Sequence, residues 1–503
     1  MAETPAHDGD REPSHLRRIA GDFLSYGTLS ALSRMANLAL LPFLTRHMMV
    51  AEYGTLDMVG TVVAFLASLL RMALPSALSR FLKDDRTQEE QNRLYTTLIL
   101  FCSGVGLLAV ASLAPLLPLA ARLLFDTPAA ALGLMLGCGI ALATAICALA
   151  KMQLRMERRI AAYGAVELVE TVLYLVFAIV AVLGWNAGVD GVLGAHLASA
   201  CIALLVGLFA TRAHFVRALD LGVLHRSIRF SFPLIPTIVI AQVYQQSDRV
   251  ILLAVSGVMG VGVFGAAARI AGIFQFALLA FRQAWAPYSL IIIAAPDRDE
   301  VYRRTFTYFA GAACVGGLAM VLIAPAIFAL ATPADYHDGL FVVPWLVGAA
   351  IVHESATFTR LGPMVSEKTG RLLWASVISL PVNLALTWLL VSSYGVRAAG
   401  IGTFVAEVVF TGWLWVATYR TSSVRYDIFR VVGSAVVFSV GAPLITIMPG
   451  WIDSPAQSVL ARAGAAALCM GAIAAMTLDR RAAAYLRGLP SRLLSSRSKR
   501  SAS

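Results

Sequence analysis

The most concentrated polar chemistry in the sequence lies inside one apolar stretch, PLIPTIVIAQVYQQSDRVILL. Gln242, Gln245, Gln246 and Arg249 follow one another at intervals of three or four residues, so a helix places them on one face. Amide groups hydrogen-bond to hydroxyls, and a guanidinium group binds phosphate oxygens through paired hydrogen bonds. The pattern therefore predicts a site for a hydroxylated, phosphate-bearing ligand, and a structural hydrogen-bond network is the alternative.

Other apolar stretches carry charges of the same kind. Gln275 and Arg282 lie seven residues apart and share a helical face. An acid near the middle of a membrane helix can carry a proton or pair with an arginine. Glu167 and Glu170, which lie three residues apart, can share a proton or a cation. The candidate ligand-binding residues are Arg34, Asn37, Arg71, Gln242, Gln245, Gln246, Arg249, Gln275 and Arg282, and the candidate coupling acids are Asp248, Glu354, Glu170 and Glu407.

Seven arginines fall within apolar stretches, and their predicted depth separates them. A charge at the membrane centre costs about 2.5–3.5 kcal/mol on insertion scales, so a deep arginine needs a partner, water or a function. Arg34 and Arg282 lie deepest. Arg269, Arg360 and Arg462 lie close to predicted helix ends, which predicts that their side chains extend to the lipid headgroups.

The elements that position these residues follow from composition. The chain is 59% hydrophobic and 14% charged, with a mean hydropathy of +0.76, whereas soluble proteins average about 25% charged residues. This composition excludes a soluble enzyme or nucleic-acid-binding protein, despite the net charge of +11. Continuous apolar stretches of spanning length predict an all-α polytopic membrane protein with about 14 transmembrane helices.

The positive charges alternate between successive connections. Eight segments, including both tails, hold 30 Lys and Arg residues, whereas the seven intervening connections hold only Arg46, Arg122 and Arg397. Cytoplasmic loops of membrane proteins are enriched in Lys and Arg. The pattern therefore predicts that both termini lie in the cytoplasm, and that most of the positive charge marks sidedness and does not form a ligand site.

An internal repeat organises the predicted spans. At a shift of 211 residues, Asn37 aligns with Asp248 and Arg71 with Arg282. With six spans per copy, the two lobes cross the membrane in the same sense, and parallel repeats of this kind can alternate access to a central cavity. The predicted domains are a cytoplasmic tail at 1–19, an N-lobe at 20–212, a cytoplasmic connection at 213–229, a C-lobe at 230–420, helices 13 and 14 at 421–478 and a basic cytoplasmic tail at 479–503.

The sequence resembles the Wzx-type and lipid II-type flippases of the multidrug/oligosaccharidyl-lipid/polysaccharide exporter superfamily. The resemblance is carried by LLPFLTRHMMVAEYGTLDMV, by FSFPLIP followed by SDRVILLAVSGVMGVGVFGAAARI, and by AWAPYSL. It implies a V-shaped pair of lobes that moves an undecaprenyl-diphosphate-linked saccharide from the cytoplasmic to the periplasmic leaflet of the bacterial inner membrane. It also implies that Arg34, Arg249 and Arg282 contribute to a cationic cavity, that Asp248 is a recurrent acid, and that a proton or sodium gradient resets the carrier.

Two other functions stay open at this point. A cation-coupled multidrug antiporter of the same superfamily would favour an acidic, aromatic cavity, and the arginines argue against it. A membrane-embedded glycosyltransferase or polymerase usually carries a large extracytoplasmic loop, and no connection here is long enough. The expected partners are the lipid-linked oligosaccharide, membrane lipids, and the polymerase and glycosyltransferases of the same pathway. We expect no nucleic acid partner, no catalytic role, no metal site and no cofactor other than a coupling ion.

Overall fold

The computed structural model describes residues 38–84, 87–217, 219–292, 296–360, 370–420, 424–451 and 454–478, and every regular element in these ranges is helical. Within them, 10 helices are long and apolar enough to cross a membrane, or 11 if the bent pair Ala334–Phe341 and Val343–Thr359 forms one span. The prediction of an all-α polytopic membrane protein is confirmed. The number of 14 spans stays a prediction.

The helices are numbered in chain order. Their bounds are 38–47 for α1, Val50–Arg71 for α2, Leu74–Phe81 for α3, Gln88–Leu113 for α4, Leu117–Phe125 for α5, Ala131–Met156 for α6, Ile160–Trp185 for α7, Gly188–Ala210 for α8, Leu221–Ser231 for α9, Ile235–Ile292 for α10, Arg298–Ala331 for α11, Val343–Thr359 for α12, Gly370–Tyr394 for α13, Ala399–Tyr419 for α14, Ile428–Ile447 for α15 and Pro455–Thr477 for α16.

Helix α10 is a pair of helices joined at Gly257. Its 58 residues far exceed the length of about 20 that spans a bilayer. Gly257 has a φ of 65° and a ψ of −171°, a conformation that glycine adopts without the steric cost of a Cβ. The Arg249 guanidinium lies 5.6 Å from the centre of the Phe264 ring, whereas a straight helix would separate these residues by about 22 Å. The chain therefore reverses at Gly257, which divides α10 into α10a (235–256) and α10b (258–292).

The helices form two bundles that meet along α2 and α10. In the N-terminal bundle, α6 packs against α2, α4 and α8, and α7 packs against α8. In the C-terminal bundle, α14 packs against α12 and α13, while α15 and α16 pack against each other and against α11. Helix α10 contacts α12 and α13 on one side and α2 on the other. It is therefore the main element that joins the bundles.

Glycines bring α2 and α10b into backbone contact. A Cβ at Gly54 would lie 1.8 Å from the carbonyl oxygen of Val258, and a Cβ at Gly262 would lie 2.5 Å from that of Val50. No side chain fits at such distances, so the approach requires glycine at both positions. The contact lies beside the connections that hold few cations, which the charge pattern assigns to the extracytoplasmic side; we call this the cation-poor side.

Side chains reinforce the contact between the bundles on the cation-poor side. Tyr53 of α2 is fully buried, and its ring packs edge-on against that of Tyr336 with 5.8 Å between the centroids. The hydroxyl of Thr45 donates a 2.8 Å hydrogen bond to the carbonyl oxygen of Ala331, the last residue of α11. That carbonyl has no partner within its own helix, so α1 supplies one.

Arg462 connects three helices of the C-terminal bundle. It is only 8% exposed, and it donates hydrogen bonds to the carbonyl oxygens of Ile445 (3.0 Å) and Leu322 (3.3 Å). Ile445 lies in the last turn of α15, where carbonyls lack helical partners and attract a cation. The prediction that Arg462 extends to the headgroups is therefore wrong, because its guanidinium group joins α16 to α15 and α11.

Candidate functional site

Two adjacent cavities, of about 710 and 640 Å³, lie between the bundles. Both volumes fall within the range of about 300–1,000 Å³ that is usual for small-molecule sites. Gln246, Arg249, Arg269 and Gln275 line both cavities, so these form one site with two halves. We call the part lined by α2, α6, α7 and α8 the N-half, and the part lined by α12, α13 and α14 the C-half.

The site begins directly beside the glycine contact. Asp57, Gly60 and Thr61 of α2 line the N-half, and they follow Gly54 along the helix. Because α2 starts at Val50 on the cation-poor side, these residues lie progressively deeper in the membrane. The bundles therefore touch on the cation-poor side, and the site lies between them on the opposite side of that contact.

Asp57 of the N-terminal bundle lies between two arginines of α10. Its Oδ2 accepts a 2.7 Å hydrogen bond from Arg249 Nε, and its Oδ1 lies 3.7 Å from Arg269 Nη2. The Asp57 side chain is 8% exposed, and a Cβ at Gly265 would lie 2.8 Å from its Oδ2. The Arg269 guanidinium also lies 5.1 Å from the centre of the Tyr53 ring. A buried charge cluster therefore links the two bundles.

Removal of the Asp57 charge should destabilise the protein. Asp57→Asn keeps the volume but leaves Arg249 and Arg269 without a carboxylate, and breaking a buried ion pair costs about 3–5 kcal/mol. We expect a lower unfolding temperature for the purified protein in detergent. The double variant Asp57→Asn/Arg249→Gln should recover part of the loss, because it removes one uncompensated charge. Equal unfolding temperatures for wild type and Asp57→Asn would contradict a stabilising role.

Lys151 joins two acids in the N-half. Its Nζ lies 2.8 Å from Glu170 Oε2 and 3.4 Å from Glu167 Oε1. Tyr163 donates a 3.1 Å hydrogen bond to the same oxygen of Glu167. The sequence pattern treats Lys151 as a marker of the cytoplasmic side, but its side chain lines the site. The two acids share a lysine ammonium group, and a coupling role for Glu170 stays a prediction.

The C-half contains exposed guanidinium groups. Arg282 Nη1 lies 2.8 Å from Glu354 Oε1, yet the Arg282 side chain is 42% exposed while that of Glu354 is 12% exposed. Arg360 also lines the C-half, and its buried Nε has no hydrogen-bond partner among the described residues. The prediction that Arg269 and Arg360 extend to the headgroups is wrong, since both line the site.

Glu407 has a histidine partner. Both of its carboxylate oxygens lie 3.1 Å from Nδ1 of His353. Glu407 is buried, whereas His353 is substantially exposed to the C-half. Tyr244 lines the same half, and its hydroxyl is buried there. This part of the site therefore combines a buried acid and a buried phenol with an imidazole that is exposed to the cavity.

Asp248 is the acid whose partners are all neutral. It is 5% exposed, its Oδ2 accepts a 2.7 Å hydrogen bond from Thr403, and its Oδ1 accepts one of 3.4 Å from Thr387. Among the described residues, no basic side chain forms an ion pair with this carboxylate. An ionised carboxylate is costly to bury without a counter-charge. The surroundings therefore suit a proton or a small cation that oxygen atoms can bind.

The structure brings together most of the residues that the sequence singles out. Asn37 and Arg34 lie outside the described residues. Arg71 and Gln242 line neither half, and Arg71 is the last residue of α2, beyond the site. The predicted residues that line the site are Gln245, Gln246, Arg249, Gln275, Arg282, Asp248, Glu354, Glu170 and Glu407.

The described lining is close to neutral, which corrects the expectation of a cationic cavity for this part of the chain. Five cationic residues are balanced by six acids, and two histidines are also present. The cationic residues are Lys151, Arg249, Arg269, Arg282 and Arg360, the acids are Asp57, Glu167, Glu170, Asp248, Glu354 and Glu407, and the histidines are His196 and His353. The two halves differ in which of their cationic side chains keep N–H groups without a hydrogen-bond partner.

Sequence reasoning missed four charged residues of the lining for one reason. They lie near predicted span ends, where a charge is ordinarily solvated, and they are Asp57, Lys151, Arg269 and Arg360. The internal repeat could have identified Asp57 and Arg269, because the shift of 211 residues aligns Asp57 with Ala268, next to Arg269. A charge beside the equivalent position in the other copy indicates that both face the interface between the copies.

Comparisons with known proteins agree on the fold. A family model described as polysaccharide biosynthesis protein matches residues 19–292. The lipid II flippase MurJ in an inward closed conformation aligns at a TM-score of 0.69 and 12% identity, covering 89% of this chain and 97% of that one. An inward-facing MATE multidrug resistance transporter of the MOP superfamily aligns at 0.62 and 18% identity (80% and 100% covered), and an outward-facing one at 0.55 and 16% (81% and 96%). No curated protein matches the sequence.

Proposed function

The chain belongs to the polysaccharide biosynthesis protein family, and we propose that it is a flippase for a saccharide carried on undecaprenyl diphosphate. The family match covers more than half of the chain, and the fold is shared with a lipid II flippase and with MATE transporters. The observation that carries the proposal is the polar site between two apolar bundles, with partly exposed guanidinium groups in its C-half.

The substrate class sets the physical problem. A diphosphate and a saccharide cannot enter hydrocarbon without a large cost, because their polar groups would lose water without gaining partners. The apolar polyprenyl tail, in contrast, is soluble in the hydrocarbon core of the bilayer. A cleft between two helix bundles solves both requirements, since the headgroup enters the cleft while the tail stays outside it.

Arginines of the C-half are suited to the diphosphate. Arg282 contacts Glu354 through one nitrogen, so its other N–H groups can bind a ligand. Arg269 lies only loosely against Asp57, and Arg360 has an unpartnered Nε. Guanidinium groups bind phosphate oxygens through paired hydrogen bonds. These three arginines therefore form the proposed diphosphate site.

The direction of transport follows from sidedness. The bundles touch on the cation-poor side, and the charge pattern predicts that this side is extracytoplasmic. We propose that in this state the site opens toward the cytoplasmic leaflet, from which the lipid-linked saccharide enters. Rocking of the bundles would separate α2 from α10b and release the headgroup to the periplasmic leaflet of a bacterial inner membrane. We propose that both termini lie in the cytoplasm and that the polymerase and glycosyltransferases of the pathway are partners.

We assign ion coupling to Asp248, through a proton or sodium. Its neutral oxygen partners leave the buried charge to be compensated by an ion, and an ion gradient can therefore bias the conformational cycle. We expect Asp248→Asn to translocate substrate slowly and to lose the acceleration that an imposed proton or sodium gradient gives the wild type. Transport assays in proteoliposomes with and without each gradient would show this. An undiminished response to both gradients would refute the assignment.

The multidrug antiporter is disfavoured by the ion pairs of the site. A cationic drug needs free acids, but five of the six lining acids have a basic partner within 4 Å. A glycosyltransferase or polymerase is disfavoured because the similar solved structures are those of a flippase and of MATE transporters. We therefore propose that the chain moves its substrate without changing it.

Reconstituted translocation tests the proposal directly. Proteoliposomes would contain the purified protein and a fluorescent undecaprenyl-diphosphate saccharide, with a membrane-impermeant quencher outside. We expect label to move between leaflets only when the protein is present, with no chemical change in the lipid. Transport of a cationic dye, with none of the lipid-linked saccharide, would favour the antiporter.

A further inference from the structure

The N-half contains polar groups that the diphosphate site does not use, and we propose that they bind the saccharide of the substrate, with hydroxyl-rich neutral sugars as the ligand class. This inference rests on the proposed function and deepens it. The geometry assigns the two chemical parts of the headgroup to opposite halves. The diphosphate occupies the C-half, and the saccharide extends past Gln246 and Gln275 into the N-half.

The first argument concerns the cations of the N-half. Lys151 is 19% exposed, and its ammonium group already contacts two carboxylates at 2.8 and 3.4 Å. The Nε of Arg249 likewise lies 2.7 Å from Oδ2 of Asp57. A phosphate would have to compete with these acids and would be repelled by them at short range. Lys151 and Arg249 are therefore already paired with carboxylates, whereas Arg269, the loosely paired arginine of the proposed diphosphate site, lies on the wall that the N-half shares with the C-half. The part of the N-half around Lys151, away from this shared wall, is unsuited to the diphosphate.

The second argument concerns free acceptors. Lys151 contacts Oε2 of Glu170 and Oε1 of Glu167. In the described part of the chain, the other oxygen of each carboxylate has no hydrogen bond or ion pair, although both side chains keep about a fifth of their surface exposed. Each sugar hydroxyl brings a donor and two acceptor positions. Free carboxylate oxygens in a cavity are therefore matched partners for a hydroxyl-rich ligand.

The third argument concerns neutral groups nearby. Tyr174 and His196 line the same half, with their ring centroids 4.5 Å apart. The phenol and imidazole can both donate and accept hydrogen bonds, and neither has a hydrogen-bond partner among the residues that the structure describes. Together with the amides of Gln246 and Gln275, they surround the cavity with groups that recognise hydroxyls and amides.

The position of Lys151 favours a saccharide site over an ion site between Glu167 and Glu170. A metal ion or sodium ion between Glu167 and Glu170 would need to displace the Lys151 ammonium group, which is held by both acids. The charge of this triad is one negative unit. An acidic sugar would face net repulsion from it, so the part of the N-half around this triad favours uncharged sugars.

The test compares two probes in lipid nanodiscs. One probe is undecaprenyl diphosphate, and the other is the undecaprenyl-diphosphate saccharide extracted from cells that lack this protein. We expect wild type to bind the second at least about tenfold more tightly. Glu170→Gln should weaken binding of the saccharide probe by about tenfold, the usual effect of losing a hydrogen bond to a charged group. Binding of bare undecaprenyl diphosphate should change less than about twofold.

Controls separate binding from folding. Tyr174→Phe removes one hydroxyl and leaves the lysine pair intact, so it should weaken the saccharide probe alone. Glu157→Gln changes a half-buried acid that contacts His214 outside the site, so it should leave both affinities unchanged. Arg282→Ala should weaken the binding of both probes.

Equal weakening of the binding of both probes by Glu170→Gln and Tyr174→Phe, or no preference of wild type for the saccharide probe, would overturn the inference. Failure of wild type to bind either probe would instead overturn the proposed function.

Discussion

Arg282→Ala should reduce translocation of the lipid-linked saccharide at least about 100-fold. Arg282 is the most exposed arginine among the salt bridges of the described site, and its pairing with Glu354 through one nitrogen leaves other N–H groups for the diphosphate. Paired guanidinium–phosphate hydrogen bonds are charge-assisted and sit in a cleft of low dielectric constant, so losing them is expensive. The measurement is the initial rate of leaflet exchange in proteoliposomes at matched protein content.

Two further variants make the Arg282 result specific. Arg282→Lys keeps the charge but loses the planar fork, so we expect an intermediate rate. Glu354→Gln keeps the arginine and weakens only its internal competitor, so substrate affinity should be retained or increased. Wild-type rates for Arg282→Ala would remove this arginine from the proposed diphosphate site. Loss of the protein from the membrane would be scored separately, by its amount after purification.

Gly54→Val should abolish transport by preventing contact between the bundles. Even a Cβ at this position would lie 1.8 Å from the Val258 carbonyl oxygen, and backbone on both sides leaves no flexible side chain to move aside. The variant should therefore be held with α2 and α10b apart, so the cycle stops in one state. We expect near-complete loss of leaflet exchange, together with a longer distance between spin labels placed on the two helices.

The matched control uses a glycine with room around it. A Cβ added at Gly104 of α4 would have no neighbouring heavy atom within 4 Å, so Gly104→Val should keep both transport and the label distance. The control matters because replacing glycine with valine changes the helix propensity at any interior position, whether or not a neighbour is close. Normal transport by Gly54→Val would mean that this close contact is dispensable for the cycle.

The sequence predicts the membrane class, the α-helical fold and much of the site lining, for clear physical reasons. Hydropathy is a property of a short stretch of sequence, and the spacing of Gln245, Gln246 and Arg249 reflects the period of a single helix. Both can therefore be recognised without knowing which helices pack together. The pairing of Asp57 with Arg249 joins residues 192 positions apart, and no local pattern contains that information. Single-residue depth estimates fail for Arg269 and Arg360 because a span end can border a cleft as well as lipid.

The position of helix α10 between the two halves determines how the site can change between related proteins. All four residues common to both halves, Gln246, Arg249, Arg269 and Gln275, belong to this one helix pair, whereas the remaining walls come from separate sets of helices. A substitution in α7 or α8 reshapes one half without touching the wall of the other. The architecture is thus modular: exchange of α6–α8 between relatives would replace most of the wall of the N-half, the proposed saccharide site, while the wall of the C-half stays in place.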